Sequence, residues 1–174
     1  LTLTGATAAH IGRPVFASAD DTLTFTAAGN SYVGLIQDIV TTNEIILRMD
    51  TERAKVKTVT HAVEDLAAGA DIAARAIHTF EKEGWIVSAR AVNQATAAAG
   101  IDNANTCVVT LQVAGSTMVT KTFDATNVFP AANATQDLGA VSNTHAAQGG
   151  VLTLAVTNGA TANPGTFIVE VDYV

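Results

Sequence analysis

Short runs of alternating apolar and polar residues recur along the first third of the chain and predict β-strands. Thr22-Leu23-Thr24-Phe25-Thr26 alternates with period two, which is typical of a half-buried strand. Residues 54–60 alternate in the same way, and short apolar runs separated by turn-forming residues such as Ala28-Gly29-Asn30 predict further strands over residues 13–17, 32–40 and 45–49. Four or five short strands without a helix indicate a small β-barrel or a curled sheet, and we predict a small β-barrel-like module over residues 13–60.

The residues before this module lack a clear pattern. Residues 1–12 are rich in Thr and Ala and show no strong period. We expect them to form an N-terminal arm that becomes ordered only against a partner or a neighbouring subunit.

Residues 61–84 form a connecting segment or contain the first strand of the next domain. Residues 62–68 could form one or two helical turns before Gly69. Residues 71–80 remain open between helix and strand, because their Ala content favours a helix whereas the neighbouring strands favour a strand. We predict a strand.

The β pattern is strongest from residue 85 onward. Trp85–Val92 alternates and predicts that Trp85, Val87, Ala89 and Ala91 share one face of a strand. Ala114-Gly115-Ser116-Thr117 is a hairpin signal, and Phe129-Pro130 indicates a short extended piece. Further strands are predicted over residues 106–113, 118–123, 151–157 and 166–174.

Strands separated by long loops are typical of an antiparallel sandwich with Greek-key or jelly-roll connections. The predicted fold class is therefore all-β. A small N-terminal β-barrel-like module is followed by an antiparallel β-sandwich or jelly roll over residues 85–174.

Composition agrees with a folded β protein. Of the 174 residues, 48% are hydrophobic and 14% are charged, which is too apolar for a disordered chain. No stretch reaches the roughly 18 consecutive apolar residues of a membrane-spanning helix. We expect a soluble, globular protein without a membrane partner.

The charge distribution argues against a nucleic-acid partner. The net charge is −7, and residues 91–174 contain one basic residue, Lys121, against five acidic ones. Nucleic-acid binding depends on clustered Lys and Arg.

Residues that could carry catalysis are sparse and scattered. The single cysteine, Cys107, lies in an apolar strand-like run, so we expect a buried thiol and no internal disulfide. Serine-hydrolase, phosphate-binding and zinc-protease motifs are missing from the sequence. We predict no catalytic residues, no cofactor and no metal site. An enzyme would need two or more of five side chains to meet in one cleft: His61, His78, His145, Asp102 and Glu170.

Two polar loops and three aromatic residues leave binding alternatives open. Asp20-Asp21 and Asp102-Asn103-Ala104-Asn105 could supply oxygen ligands to calcium, although Asp and Asn are also the usual turn formers. Trp85, Tyr32 and Tyr173 could stack on a sugar, or could serve as core and interface residues.

Two stretches of the chain resemble capsid decoration (cement) proteins of tailed bacteriophages. The N-terminal likeness lies in Ile11-Gly12-Arg13-Pro14-Val15-Phe16-Ala17-Ser18-Ala19-Asp20-Asp21-Thr22, Tyr32-Val33-Gly34 and Ile45-Ile46-Leu47-Arg48-Met49. The stretch from Gly84-Trp85-Ile86-Val87 to Tyr173-Val174 resembles the sandwich or jelly-roll modules of such proteins and of phage head fibres. Its points of likeness are Gly100-Ile101-Asp102, Leu152-Thr153-Leu154-Ala155-Val156-Thr157 and Asn163-Pro164-Gly165.

This resemblance implies a structural, non-enzymatic role. The chain would bind the outer surface of the major capsid protein lattice, commonly as a homotrimer at local threefold positions, and would stabilise the head. It would be made in the host cytoplasm and located on the virion. The alternative is a carbohydrate-binding or adhesin-type β-sandwich module on a virion or cell surface, for which burial of Trp85 in the core would be strong contrary evidence.

Overall fold

A computed structural model of the chain describes residues 3–26, 30–49, 56–65, 67–94, 98–142 and 144–174. These residues form thirteen β-strands and a single 3₁₀ turn at Ala8–His10, without an α-helix. The all-β prediction is confirmed. The strands are β1 Pro14–Ala19, β2 Thr22–Thr24, β3 Ser31–Thr41, β4 Glu44–Arg48, β5 Lys57–Val63, β6 Ile72–Thr79, β7 Gly84–Asn93, β8 Cys107–Val113, β9 Ser116–Phe123, β10 Thr135–Asp137, β11 His145–Ala146, β12 Val151–Asn158 and β13 Phe167–Tyr173.

The chain divides into two compact units. Residues 1–57 and Val174 belong to the first unit, and residues 58–173 belong to the second. The division falls within β5 (Lys57–Val63), before the segment over residues 61–84 that the sequence suggested as a connection.

The first unit is built on one antiparallel sheet with the strand order β2-β1-β3-β4. One face of this sheet carries a small apolar core of Leu3, Ala6, Val15, Leu23 and Ile36. A barrel closes when its first and last strands pair. In the described residues β2 and β4 lie at opposite ends of the strand order, so the predicted barrel-like closure is not confirmed.

The predicted N-terminal arm is packed against the first unit over its described part. Leu3 is 2% exposed and Ala6 is 1% exposed, and both belong to the apolar core. The backbone N–H of Ala6 also donates to the carbonyl oxygen of Thr42 at 2.9 Å. The described part of this segment therefore buries apolar surface on its own unit, and ordering of the arm by a partner stays a prediction.

The second unit contains two antiparallel sheets. One has the strand order β10-β7-β13-β5, with β11 also paired to β7, and the other has the order β6-β12-β8-β9. Alternating side chains of β7, β8, β12 and β13 contribute to a single buried core. This arrangement is β-sandwich-like, with both inner sheet faces contributing to one core.

Local sequence explains the hairpin between β8 and β9. Ala114 and Gly115 both have positive φ, at 49° and 81°. Positive φ at both central residues is typical of a type I′ turn, whose twist matches that of paired antiparallel strands. The hairpin prediction is confirmed.

The region over residues 61–84 adds strands to both sheets of the second unit. β5 lies beside β13, and β6 lies beside β12. The strand prediction for residues 71–80 is confirmed. Helical turns over residues 62–68 are wrong for the described residues, because Ala62 and Val63 complete β5 and Val63 is fully buried.

The long connection before β12 contains two strands that the sequence did not reveal, β10 and β11. Both pair with β7. They are three and two residues long, which is too short for a visible period. The extended piece predicted at Phe129-Pro130 is not a strand, and Phe129 instead packs between Phe123 and Phe167.

Candidate functional site

A β-bulge in β7 places Trp85 on the face of its sheet that lies opposite the core. Along the β7–β13 pair, Asp172 is opposite Ser88 but Tyr173 is opposite Ile86, so Val87 is an extra residue in β7. An extra residue reverses the alternation of inward and outward side chains. Ile86 and Ala89 are therefore both buried in the core.

The face predicted for Trp85, Val87, Ala89 and Ala91 is consequently only half correct. Ala89 and Ala91 belong to the core, whereas Trp85 and Val87 are half-buried side chains outside it. We call the exposed surface around Trp85 and Arg90 on β7 the outer face of the second unit.

Trp85 and His145 are direct cross-strand neighbours on this outer face. β11 pairs with the start of β7 so that His145 lies opposite Trp85. The centroids of the two rings are 4.8 Å apart, with a tilt of 42° between the ring planes. The hydrogen bond from the backbone N–H of Ile86 to the carbonyl oxygen of Thr144, at 2.9 Å, holds the two strands together at this point.

A carboxylate lies beside this ring pair. Glu83 Oε2 is 3.8 Å from His145 Nε2, and the two side chains are 60% and 47% exposed. The pair of rings and the carboxylate therefore combine apolar surface with accessible hydrogen-bonding groups. We call Trp85, His145 and Glu83 the ring site.

An ion-pair network occupies the same outer face beyond the bulge. Arg90 donates from Nε to Glu170 at 2.6 Å and from Nη1 to Asp172 at 2.5 Å. Asp172 also accepts hydrogen bonds from the hydroxyls of Thr58, at 2.6 Å, and Ser88, at 2.8 Å. The network joins β5, β13 and β7, and charge-assisted bonds of this kind are the strong ones in proteins.

These contacts set the ionisation of Asp172. Burial by itself would raise the pKa of this carboxyl group, but the hydrogen bonds from Thr58, Ser88 and Arg90 and the Arg90 charge lower it below the ordinary range. Asp172 is therefore a carboxylate at neutral pH and keeps the Arg90 guanidinium in a fixed position.

The five side chains considered for catalysis have different surroundings. His61 contacts Arg75, with 3.0 Å between Nε2 and Nη2, and burial followed by the Arg75 charge lowers its pKa. His78 stacks with Phe80 and Tyr173. His145 is in the ring site, and Glu170 is bound to Arg90. No group of three or more His, Cys, Asp or Glu residues in the described residues is arranged to hold a metal ion.

Asp102 forms hydrogen bonds within its own loop. Its Oδ1 atom accepts the backbone N–H groups of Ala104 and Asn105, each at 2.8 Å, and these bonds lower the pKa of the carboxyl group. The other acidic pair, Asp20-Asp21, lies at the β1–β2 turn, where Asp21 accepts a hydrogen bond from the Thr22 hydroxyl. Both loops show the local side-chain hydrogen bonding that is usual in turns.

Cys107 and the three aromatic residues considered for sugar stacking differ in their burial and contacts. Cys107 is fully buried, and burial raises its thiol pKa to about 12. Tyr173 packs against the core of the second unit, and Tyr32 makes an edge contact with Phe16 in the first unit. Of the three, Trp85 is the one that the bulge turns to the outer face of the second unit.

A different kind of surface lies on the first unit. Val40 is 56% exposed and Ile46 is 46% exposed, whereas the adjacent Ile39 and Ile45 pack against the core. Val40 and Ile46 therefore lie on the face of β3 and β4 opposite the core, where Ile46 is paired with the exposed Asp38. We call the surface of Val40 and Ile46 the apolar face. Among its described residues, the first unit also carries three other exposed large apolar side chains, Ile11, Met49 and Val56.

Comparison with protein-family models, with curated proteins and with solved structures finds no match to this chain. In the part of the chain that the structure describes, no helix is long and apolar enough to cross a membrane.

Proposed function

We propose that this chain is a structural virion protein that binds the outer surface of a major capsid protein lattice and stabilises the head. The observation that carries the proposal is the apolar face of the first unit. Exposed large apolar side chains are concentrated on this unit, and a contiguous group of them is the kind of surface that a protein partner covers. The resemblance of Ile11–Thr22 and Ile45–Met49 to decoration proteins falls on this same unit.

The division of charge supports different roles for the two units. Residues 1–57 contain five basic and six acidic residues, a net charge of −1. Residues 58–174 contain four basic and ten acidic residues, a net charge of −6. A net charge near zero leaves little electrostatic repulsion against association of the first unit, whereas the net charge of the second unit favours solubility and discourages unspecific association.

The strand order of the second unit supports a jelly roll as its fold. Strands β5 to β8 alternate between the two sheets, and β8 and β9 form a hairpin within one of them. The resulting strand orders are β5-β13-β7-β10 and β6-β12-β8-β9, with the short β11 as an addition beside β7. Eight strands in two four-stranded sheets with Greek-key links define the jelly roll, a fold found in viral capsid and lectin domains. Fold likeness adds only an analogy to the functional proposal.

The proposed assembly is a homotrimer located on the capsid exterior and made in the host cytoplasm, without catalytic activity. The trimer is what the resemblance to decoration proteins implies, and closed symmetry is the usual arrangement of such assemblies. Sedimentation equilibrium would give three times the chain mass for a trimer, and a mass of one chain at micromolar concentration would contradict it.

Capsid binding is tested by co-sedimentation. The purified chain is mixed with undecorated heads assembled from the major capsid protein of the same virus, and the bound fraction is measured after pelleting. We expect saturable binding, and electron micrographs of the pellet should show symmetric clusters on the shell. A wild-type chain that stays in the supernatant at every concentration would refute the proposal.

Matched variants locate the contact. Val40→Lys and Ile46→Lys place a charge on the apolar face and should weaken capsid binding by at least about tenfold, as expected for a buried contact. Val128→Lys is the control, because Val128 is an exposed large apolar residue of the second unit. Equal binding by all three variants would place the contact elsewhere.

A further inference from the structure

We propose that the ring site of Trp85, His145 and Glu83 binds a neutral saccharide. The inference is independent of capsid binding, because the ring site and the apolar face belong to different units and the two activities are measured with different ligands.

The ring pair supplies the apolar part of the site. A pyranose presents C–H groups on its faces and hydroxyls around its edge, so it matches a flat aromatic surface bordered by polar groups. Trp85 is a large side chain that the Val87 bulge removes from the core, and the His145 ring packs against it at a tilt of 42°. Tryptophan at such a boundary offers a large apolar body and a polar N–H at its edge.

The border of the ring site supplies hydrogen bonds. Glu83 is an acceptor for sugar hydroxyls, and the His145 imidazole can donate from one nitrogen and accept at the other. Both side chains are largely accessible. A few directed polar groups around an aromatic surface are the usual composition of a small-molecule site.

The surrounding charges favour a neutral ligand over an anionic one. Glu81 and Glu83 flank Lys82 in the connection between β6 and β7. On the same outer face, the Arg90 guanidinium is already bound to Glu170 and Asp172. The two glutamates would repel a carboxylated or sulfated sugar, and the Arg90 guanidinium would not attract it because that charge is already paired with Glu170 and Asp172.

The site is also held in place before any ligand arrives. His145 is fixed by the β11–β7 pairing, and Trp85 lies within β7 next to the buried Ile86. Groups held by strands lose little conformational entropy on binding.

The experiment is a titration of the full chain with defined oligosaccharides, followed by Trp85 fluorescence and by calorimetry. The probes are cellohexaose, xylohexaose, mannohexaose and chitohexaose as neutral sugars, and a galacturonic acid hexamer as the anionic comparison. Trp85 is the single tryptophan of the chain, so a change in fluorescence on binding reports on the ring site itself. We expect at least one neutral hexamer to bind and the anionic hexamer not to bind.

Variants separate this site from any other. Trp85→Ala should weaken binding by at least about tenfold, and Trp85→Phe should weaken it less because a ring is retained. Glu83→Gln should also weaken binding. The Glu83 side chain is 60% exposed, so this substitution should leave the fold intact. Val128→Ala is the control, and near-ultraviolet circular dichroism together with protection of the Cys107 thiol confirms folding of each variant.

Three results would overturn the inference. They are the absence of binding to all four neutral hexamers, binding of the anionic hexamer alone, and binding that Trp85→Ala and Glu83→Gln both leave unchanged.

Discussion

Asp172 shows how one residue can organise an exposed sheet face. Its carboxylate accepts hydrogen bonds from side chains on β5 and β7 while it lies on β13 between them. A buried carboxylate is stable only when its hydrogen bonds and its charge are both satisfied. The three donors around Asp172 meet that requirement, so the network ties three strands together.

Replacing this carboxylate should destabilise the second unit. We expect Asp172→Asn to lower the free energy of unfolding by about 1–3 kcal/mol, because the amide cannot balance the Arg90 charge and leaves donors poorly matched. Urea denaturation measures the change. The exposed Glu64→Gln variant is the control, and an equal effect in both variants would contradict a special role for Asp172.

The same residue predicts a dependence of stability on pH. Its pKa is lower in the folded chain than in the unfolded chain, so the stabilisation is present above the unfolded pKa of about 4 and is lost as pH falls through the folded value. Denaturation midpoints of the wild type should therefore fall on acidification below about pH 4. The fall should be smaller in Asp172→Asn, and parallel curves for the two proteins would contradict the assignment.

Cys107 provides a probe of the folded core. Its thiol is fully buried and its pKa is raised to about 12, so the reactive thiolate is scarce at pH 8. We expect no labelling by a maleimide in the native protein and one label per chain after unfolding in guanidinium. Rapid labelling of the native chain would show that the core around β8 opens.

At the scale of elements, the Val87 bulge determines what β7 presents on each side. Without it, the alternation that buries Ala89 and Ala91 would also bury Trp85. A core tryptophan would fill the interior of the sandwich, whereas Trp85 lies beside a histidine and a carboxylate on the outer face. Burial of Trp85, which would have opposed a carbohydrate role, is thus not observed.

The position of Trp85 predicts its fluorescence. Acrylamide should quench the native protein efficiently, because the half-buried indole is outside the core. The Stern–Volmer constant should lie between that of a buried tryptophan and that of N-acetyltryptophanamide. A constant close to that of a buried tryptophan would contradict the outward placement.

At the scale of the whole molecule, each unit has its own apolar core. The core of the second unit draws on strands from β5 to β13 and is the larger of the two. The first unit instead relies on a small core to which the N-terminal residues Leu3 and Ala6 contribute. Small cores supply little stability by themselves, so we expect the first unit to be the less stable of the two.

This difference predicts the behaviour of fragments. A fragment of residues 56–174 should fold by itself, with cooperative urea unfolding and a protected Cys107 thiol, because it contains the complete larger core. A fragment of residues 1–57 should unfold at lower urea concentration. Non-cooperative unfolding of the longer fragment would show that the second unit requires the first.

Local sequence patterns determined much of the strand content. Short runs rich in apolar and β-branched residues located β1, β3, β4, β8, β9, β12 and β13. Alternation located β2, β5 and β7, since one buried face imposes period two on a strand. The prediction that Cys107 is buried is confirmed. The positive φ values at Ala114 and Gly115 confirm the predicted hairpin turn. Strand identity is a local property wherever one side of the strand faces a core.

Tertiary structure alone decided the features that create the candidate sites. The bulge at Val87 can be identified only once β13 is paired with β7, because a bulge is an extra residue relative to the partner strand. β11 is too short to show a period, yet its pairing brings His145 beside Trp85. Burial of Leu3 likewise depends on a sheet formed by later residues. The sequence by itself determined an all-β chain with few titratable and aromatic side chains. Long-range strand pairing determined which of those side chains come together on a surface.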